Sequence, residues 1–292
     1  MSNSRSVSIF IVFSSLLVFI LIVQFESVVA QSVTDEQKRA FPSLKFGGFL
    51  QQQFIADDAP NSPARFAIHR ARVGVVGDIT DRISINLVGG YAEPPNNTPR
   101  LVNAFIDFDI DPLLQIRTGQ FLLPFGLEGP QPIFLNPSIE RSNAIRRLST
   151  FTMFRDVGIR VSGRHSIVNY AVAFVNGEGA NQTEQFDPKD LMGRVGVNLA
   201  DNFELGISGH LGQYRPNSSL DNHEARYKVG ADVNYKGNPV FLRSEYIFRQ
   251  DELSTGNSRE MHGGYLLGGY KFSENLEAIA RYEYYDPKYI SR

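Results

Sequence analysis

From Leu44 almost to the end of the chain, apolar and polar residues alternate in segments of roughly ten, the length a tilted strand needs to cross a bilayer. No apolar run of helical period persists over comparable distances. The alternation restricts the chain to β-sheet, and the links between segments restrict it further. Short links at Gly77-Asp78-Ile79-Thr80-Asp81-Arg82, Asp111-Pro112, Gly163-Arg164-His165-Ser166, Ala200-Asp201-Asn202, Lys236-Gly237-Asn238-Pro239 and Ser273-Glu274-Asn275 all carry turn-forming residues. Longer links stand between them, near 56–64, 92–99, 122–153, 176–189, 213–223 and 250–260. Short turns on one side and long loops on the other is the asymmetry of an outer-membrane barrel, and a soluble sandwich or propeller has no need of it.

Within a segment, parity separates a face for lipid from a face for the lumen. In FAIHRARVGVVG, Arg70 and Arg72 share one parity and Ala71, Val73 and Val75 the other. An arginine on the lipid face at the bilayer midplane costs roughly 2–4 kcal/mol, so both are expected inside. The same test sets Val157, Ile159 and Val161 against Asp156, Arg160 and Ser162. It sets Tyr227, Val229, Ala231, Val233 and Tyr235 against Arg226, Lys228, Asp232 and Asn234. Val102, Ala104, Ile106 and Phe108 likewise oppose Asn103 and Asp107. An interior this polar is expected to hold water. A mean hydropathy of −0.20 excludes a helical membrane bundle but suits a barrel, whose strands turn only every second residue to lipid.

The N-terminus reads as a secretory signal over 1–30. Arg5 lies in a short polar start, Val7 to Val23 is apolar apart from two serines, and Val28-Val29-Ala30 offers a small-residue cleavage site before Gln31. Residues 31–43 form a periplasmic leader and 44–292 the barrel domain, which is expected in a bacterial outer membrane surrounded by its lipid. The predicted fold is all-β, a transmembrane antiparallel β-barrel with about thirteen strands present, the last being Leu276 to Tyr285. An odd count and the lack of a closing aromatic strand give the expectation of C-terminal truncation at Arg292.

The excursion from 122 to 153 is the expected constriction. Between Pro137 and Arg160 it and the following strand carry Arg141, Arg146, Arg147, Arg155 and Arg160 against Glu140 and Asp156. Guanidinium groups present planar donors that stay charged at any working pH, and a ring of them lowers the barrier for anions. Asn136-Pro137 reads as a helix N-cap followed by a first-turn proline. In a helix at about 100° per residue, Arg141, Arg146 and Arg147 point in three directions, so only one or two of them reach the ion path. Arg70, Arg72, Arg117, Arg194, Arg226, Arg243 and Arg281 are expected on the lumen wall. Asp107, Glu204, Asp232, Glu245 and Glu283 are available there as partners.

The segments GQFLLPFGLE at 119–128, ERS at 140–142, FRDVGIRVSG at 154–163, FAIHRARVGVVGDI at 66–79 and ARYEYYD at 280–286 resemble the phosphate-selective porin O and P family. The resemblance covers nearly all of 44–290. It implies a trimeric outer-membrane porin of about sixteen strands passing anions, with phosphate and polyphosphates passed by its namesakes. Members of that family often carry a basic residue just before Pro-Phe-Gly, where this chain has Leu122 and Leu123. The expectation is therefore passive diffusion of small anions, phosphate or polyphosphate among the candidates, with no claim of phosphate specificity.

Other chemistries find little in the sequence. Cysteine is absent, the histidines follow no metal-ligand spacing, and no nucleophile elbow or phosphate loop is present, so neither catalysis nor a cofactor is expected. A formal charge of −2 offers nothing to nucleic acid. The alternatives are a general or differently selective porin of the same fold, and an outer-membrane barrel enzyme or soluble secreted β-protein. For the enzyme, Ser208 and His210 on one strand face are the nearest hint.

Overall fold

β-Branched and aromatic residues at every second position pair best on a pleated surface, and here they produce one continuous antiparallel sheet. The computed structural model describes residues 41–55, 64–92, 98–149, 151–184, 188–214, 224–252 and 256–291. Thirteen strands follow one another in chain order. They are β1 (Ser43–Ile55), β2 (Arg65–Asp78), β3 (Ile83–Ala92), β4 (Arg100–Asp111), β5 (Leu114–Leu122), β6 (Arg155–His165) and β7 (Val168–Val175). Then come β8 (Asp190–Ala200), β9 (Phe203–Tyr214), β10 (Glu224–Tyr235), β11 (Val240–Glu252), β12 (Ser258–Ser273) and β13 (Leu276–Ser291). Each pairs with the next, and among the described residues β1 and β13 do not pair with one another.

The expected signal sequence at 1–30, most of the leader, and most of the links at 56–64, 92–99 and 213–223 lie outside the described residues. The short turns close as their residues dictate. Leu113 N–H donates to Asp111 Oδ1 at 2.9 Å. Thr80 Oγ1 accepts from the amides of Arg82 and Ile83 at 3.2 and 3.0 Å. The link expected over 250–260 is shorter than predicted, because Asp251 and Glu252 stay paired with Arg259 and Ser258. Polar strand ends lose nothing by remaining in the ladder beyond the membrane.

The two faces separate as parity requires. On β10, Val229 is 62% exposed toward the lipid side while Lys228, Asp232 and Asn234 are buried inside. On β2 the alternation breaks once. The register with β1 shifts between Gln51 and Gln52, skipping His69. Phe66 and Ile68 therefore face outward with even numbers and Val73 with an odd one. This bulge turns both His69 and Arg70 inward.

The interior is not uniformly polar. The chain between β5 and β6 folds into the sheet's concave side and carries α1 (Asn143–Ser149). Ile145 and Leu148 of α1 pack on Phe241, Ile247, Met261, Tyr265 and Leu267 of β11 and β12. At the loop's entrance Phe121 and Leu123 pack on Ala173, Val175 and Met192. Full burial of such a side chain stabilises by roughly 1.5–3 kcal/mol, so these two patches are the docking surface that keeps the loop inside.

Candidate functional site

The in-folded loop is fastened first at Pro124-Phe125-Gly126. Leu123 N–H donates to the carbonyl of Phe154 at 3.0 Å, which holds entry and exit together. Gly126 has φ of 73° and donates its N–H to Ser208 Oγ on β9 at 2.9 Å. A Cβ at this position would run into the carboxylate of Glu245 on β11. The Glu245 Oε2 in turn accepts Glu128 N–H at 3.1 Å. Glu245 was expected to pair with an arginine; instead it receives the loop's backbone, because a donor-rich turn lies directly over it.

Beyond this latch the loop is tied to itself. Glu128 is buried and accepts Ser142 N–H at 2.8 Å. Burial pushes its carboxyl above the usual range, against the pull of Ser142 and of Arg281, Arg243 and Arg141. Arg141 spans the same turn, donating Nε to the Glu128 carbonyl at 2.9 Å and Nη2 to the Gln131 carbonyl at 2.5 Å. Its guanidinium lies 4.4 Å from the centre of the Phe154 ring. Burial lowers Arg141 to about 10, opposed by Glu128, and it remains a cation at neutral pH.

Further along, Glu140 reaches both sides of the curled sheet. Its carboxylate takes His69 Nε2 and Arg70, the latter with Nη1 at 2.8 Å and Nη2 at 3.0 Å. Its backbone carbonyl accepts Arg281 Nη1 from β13 at 2.7 Å. Burial works against the charged form of Glu140, but the His69 and Arg70 bonds outweigh it and hold the carboxyl at about 2. Nearby, Phe134 packs on Phe49 of β1 with ring centroids 5.7 Å apart.

The helix does not start where the local signal put it. Asn136 ends a single 3-10 turn (Ile133–Leu135), and α1 begins seven positions later. Its first amides are satisfied by the wall, with Asn143 N–H donating to Glu283 Oε2 at 2.7 Å and Ala144 N–H at 3.4 Å. A carboxylate at a helix start outcompetes an asparagine cap because it also opposes the helix dipole.

The structure divides the predicted arginines into two groups. Most wall arginines meet carboxylates or amides. Arg117 grips Asp107 with Nε and Nη2, both at 2.6 Å. Arg194 joins Glu204 at 2.8 Å and Asp232 at 2.5 Å. Arg226 and Arg249 share Asp251 at 2.7 and 2.5 Å. Arg281 bonds Glu283 at 2.7 Å, and Arg243 bonds Gln131 Oε1 at 2.5 Å. Arg72 lies 5.4 Å from the Phe49 ring.

Two loop-side arginines are turned away from open space. Arg141 is held as described, and Arg155 is buried, donating to Asn103 Oδ1 at 2.9 Å and the Met153 carbonyl at 2.8 Å. The other three, like the buried Arg141 and Arg243, have no carboxylate within salt-bridge distance among the described residues, but they are not buried. Arg146 and Arg147 are exposed on the face of α1 opposite Ile145 and Leu148, with Arg147 5.4 Å from the Tyr285 ring. Arg160 stands directly across from Arg117 in the β5–β6 register, donating to Gln115 Oε1 at 3.2 Å with its guanidinium 5.9 Å from the Phe121 ring.

Ser208 and His210, noted from the sequence, serve different partners: Ser208 takes Gly126, and His210 Nε2 faces Asp190 Oδ2 at 2.8 Å. Sequence reasoning missed His69 and the latch on Ser208 and Glu245. The signal for the latch was available in the glycine that ends Pro-Phe-Gly.

Residues 58–289 match the family described as "Putative beta-barrel porin-2, OmpL-like". Among solved structures, the anion-selective porin from Comamonas acidovorans aligns with a TM-score of 0.63 at 12% identity, covering 84% of this chain and 79% of that one. OmpF of Salmonella typhi, in complex with daunomycin, aligns with 0.60 at 12% identity over the same shares. A loop-deletion mutant of OmpT, an outer membrane protein of Vibrio cholerae, aligns with 0.51 at 12% identity, covering 84% and 93%. At this identity the likeness is one of fold. Comparison with curated proteins finds no match.

Proposed function

The chain belongs to the beta-barrel porin-2, OmpL-like family, and from that premise we propose that it is a passive channel for small anions, narrowed by the 123–154 loop. Family and fold make it a porin-like outer-membrane barrel. The preference for anions rests on one observation. The wall arginines at 117, 194, 226 and 281 are paired with carboxylates, whereas Arg146, Arg147 and Arg160 are not. Arg141 and Arg243 also lack a carboxylate partner among the described residues, but both are buried, so the unpaired positive charge that is open to solvent lies on the loop helix and the return strand. Fixed cations at a constriction raise local anion concentration and oppose cations, with no catalytic step.

Phosphate specificity is not part of this reading. Leu122 and Leu123 are both buried, and Leu123 packs against Ala173, Val175 and Met192, so the positions before Pro124 are turned into the wall rather than the ion path. Of the segments resembling the phosphate-selective porin O and P family, 119–128 carries the loop's latch, 154–163 lies at the return strand, and 66–79 and 280–286 fall on β2 and β13. Assembly as a homotrimer is proposed on the same family grounds.

The extensive pairing of wall arginines favours a second reading, a general diffusion porin with little charge preference. Reversal potential in planar bilayers under a potassium chloride gradient decides between them. An anion-directed potential supports the proposal, a potential near zero supports the general porin, and a cation-directed one overturns the anion reading.

A further inference from the structure

Behind the loop, away from the face that carries Arg146 and Arg147, lies a small cavity of about 20 Å³. Phe125, Phe151, Met192 and Ile247 line it together with two nitrogen-bearing side chains, His210 and Lys228. Its volume suits a single particle of water or halide size.

Both nitrogen groups are deeply buried, His210 at 2% exposure and Lys228 at 3%. They stand directly opposite each other in the β9–β10 register, and Arg249 is opposite Lys228 on the other side. Three basic side chains thus lie abreast across three strands, an arrangement that by itself repels. Lys228 Nζ donates to the Ser149 carbonyl at 2.6 Å and lies 5.1 Å from the Phe151 ring. The rings of Phe151 and Phe125 approach His210 nearly edge-on, at 5.6 and 6.4 Å.

His210 fixes the chemistry. Its Nε2 is committed to Asp190, whose other oxygen accepts Gln213 N–H at 3.2 Å. Its Nδ1 is buried and has no hydrogen-bond partner. In the neutral ring this nitrogen is an acceptor; in the protonated ring it becomes a donor, while Nε2–H keeps its bond to Asp190. A proton on His210 therefore places a new N–H donor and a positive charge in a cavity that Lys228 also lines. Charge balance is then kept if an anion enters with the proton.

We propose that this cavity binds one small monovalent anion of halide size together with a proton on His210, pinning the Ser149–Phe154 limb of the loop to the wall. The site is defined by the residues lining the cavity and does not depend on the channel's selectivity. The charged groups around His210 are Asp190 on β8, Arg226 and Lys228 on β10, and Arg249 and Asp251 on β11; the loop contributes the Ser149 carbonyl and aromatic rings.

The test compares thermal unfolding of the purified protein in sodium bromide and in sodium gluconate at equal ionic strength. At pH 5 the midpoint is expected to be higher in bromide. At pH 8 the difference shrinks, since uptake of one proton makes apparent bromide affinity fall about tenfold per pH unit on the alkaline side. In K228Q the bromide increment disappears. Equal midpoints in the two salts at pH 5, or an increment retained in K228Q, overturn the proposal. If K228Q does not fold, bromide-soaked crystals of the unaltered protein decide. An anomalous peak between His210 and Lys228 supports the site, and a cavity holding only water overturns it.

Discussion

The guanidinium of Arg70 on β2 meets the carboxylate of Glu140 at 2.8 Å, although seventy residues separate them in the chain. This is the point at which the loop reaches the first strands of the sheet. It is also a contact that acid breaks, because it needs the charged form of Glu140.

Because the folded protein holds the Glu140 carboxyl at about 2, below its ordinary 4.5, the folded state favours the charged form. The stabilisation is complete above pH 4.5 and is lost as pH falls from there toward 2. Thermal midpoint and single-channel noise measured between pH 6 and pH 2.5 are expected to show the loop loosening in that window. E140Q should begin loosened and lose most of the pH dependence. An acid profile unchanged by E140Q would count against this assignment.

Gly126 combines a positive φ with close approach to Glu245. In G126A the left-handed backbone alone costs about 1–2 kcal/mol, and the methyl group must also displace the carboxylate. The urea midpoint should fall and open-channel conductance should rise as the latch slips. A variant with unaltered conductance and stability would show that the latch does not hold the loop.

Charge on the free face of α1 is expected to set ion preference. R146E/R147E should move the reversal potential toward cations, with the fold and thermal midpoint little changed, since both side chains are exposed. If the potential stays where it was, these arginines do not face the permeating ions.

Arg194 gives the contrasting case. R194Q leaves Glu204 and Asp232 inside without their cation, and breaking such a buried pair costs about 3–5 kcal/mol. A large drop in unfolding midpoint is expected, much greater than for R146E/R147E. Equal stability losses in the two variants would contradict the division of arginines into paired and unpaired groups.

Strand existence and facing were legible because both are local. Tyr227, Val229 and Val233 against Lys228, Asp232 and Asn234 needs nothing beyond period two. Pairs across a tight turn were nearly as accessible: Asp107 and Arg117 flank the link between β4 and β5 and fall opposite each other in register. What stayed hidden depends on distant partners. The bulge at His69 lies between Ile68 and Arg70, and the switch from the even-numbered Phe66 and Ile68 to the odd-numbered Val73 takes its meaning only from the register with β1. The cap of α1 comes from Glu283, 140 residues from Asn143, and overrode the nearer signal at Asn136. The inward-facing apolar patch on β11 and β12 has its reason in α1, which packs on it from a distant part of the chain.

Glu140 grips β2 through its side chain and β13 through its backbone, so a single residue of the narrowing loop is strung between two parts of the wall. β2 and β13 stand near opposite ends of the strand order and do not pair with one another among the described residues, so Glu140 supplies across the concave side a tie that no ladder of backbone hydrogen bonds provides.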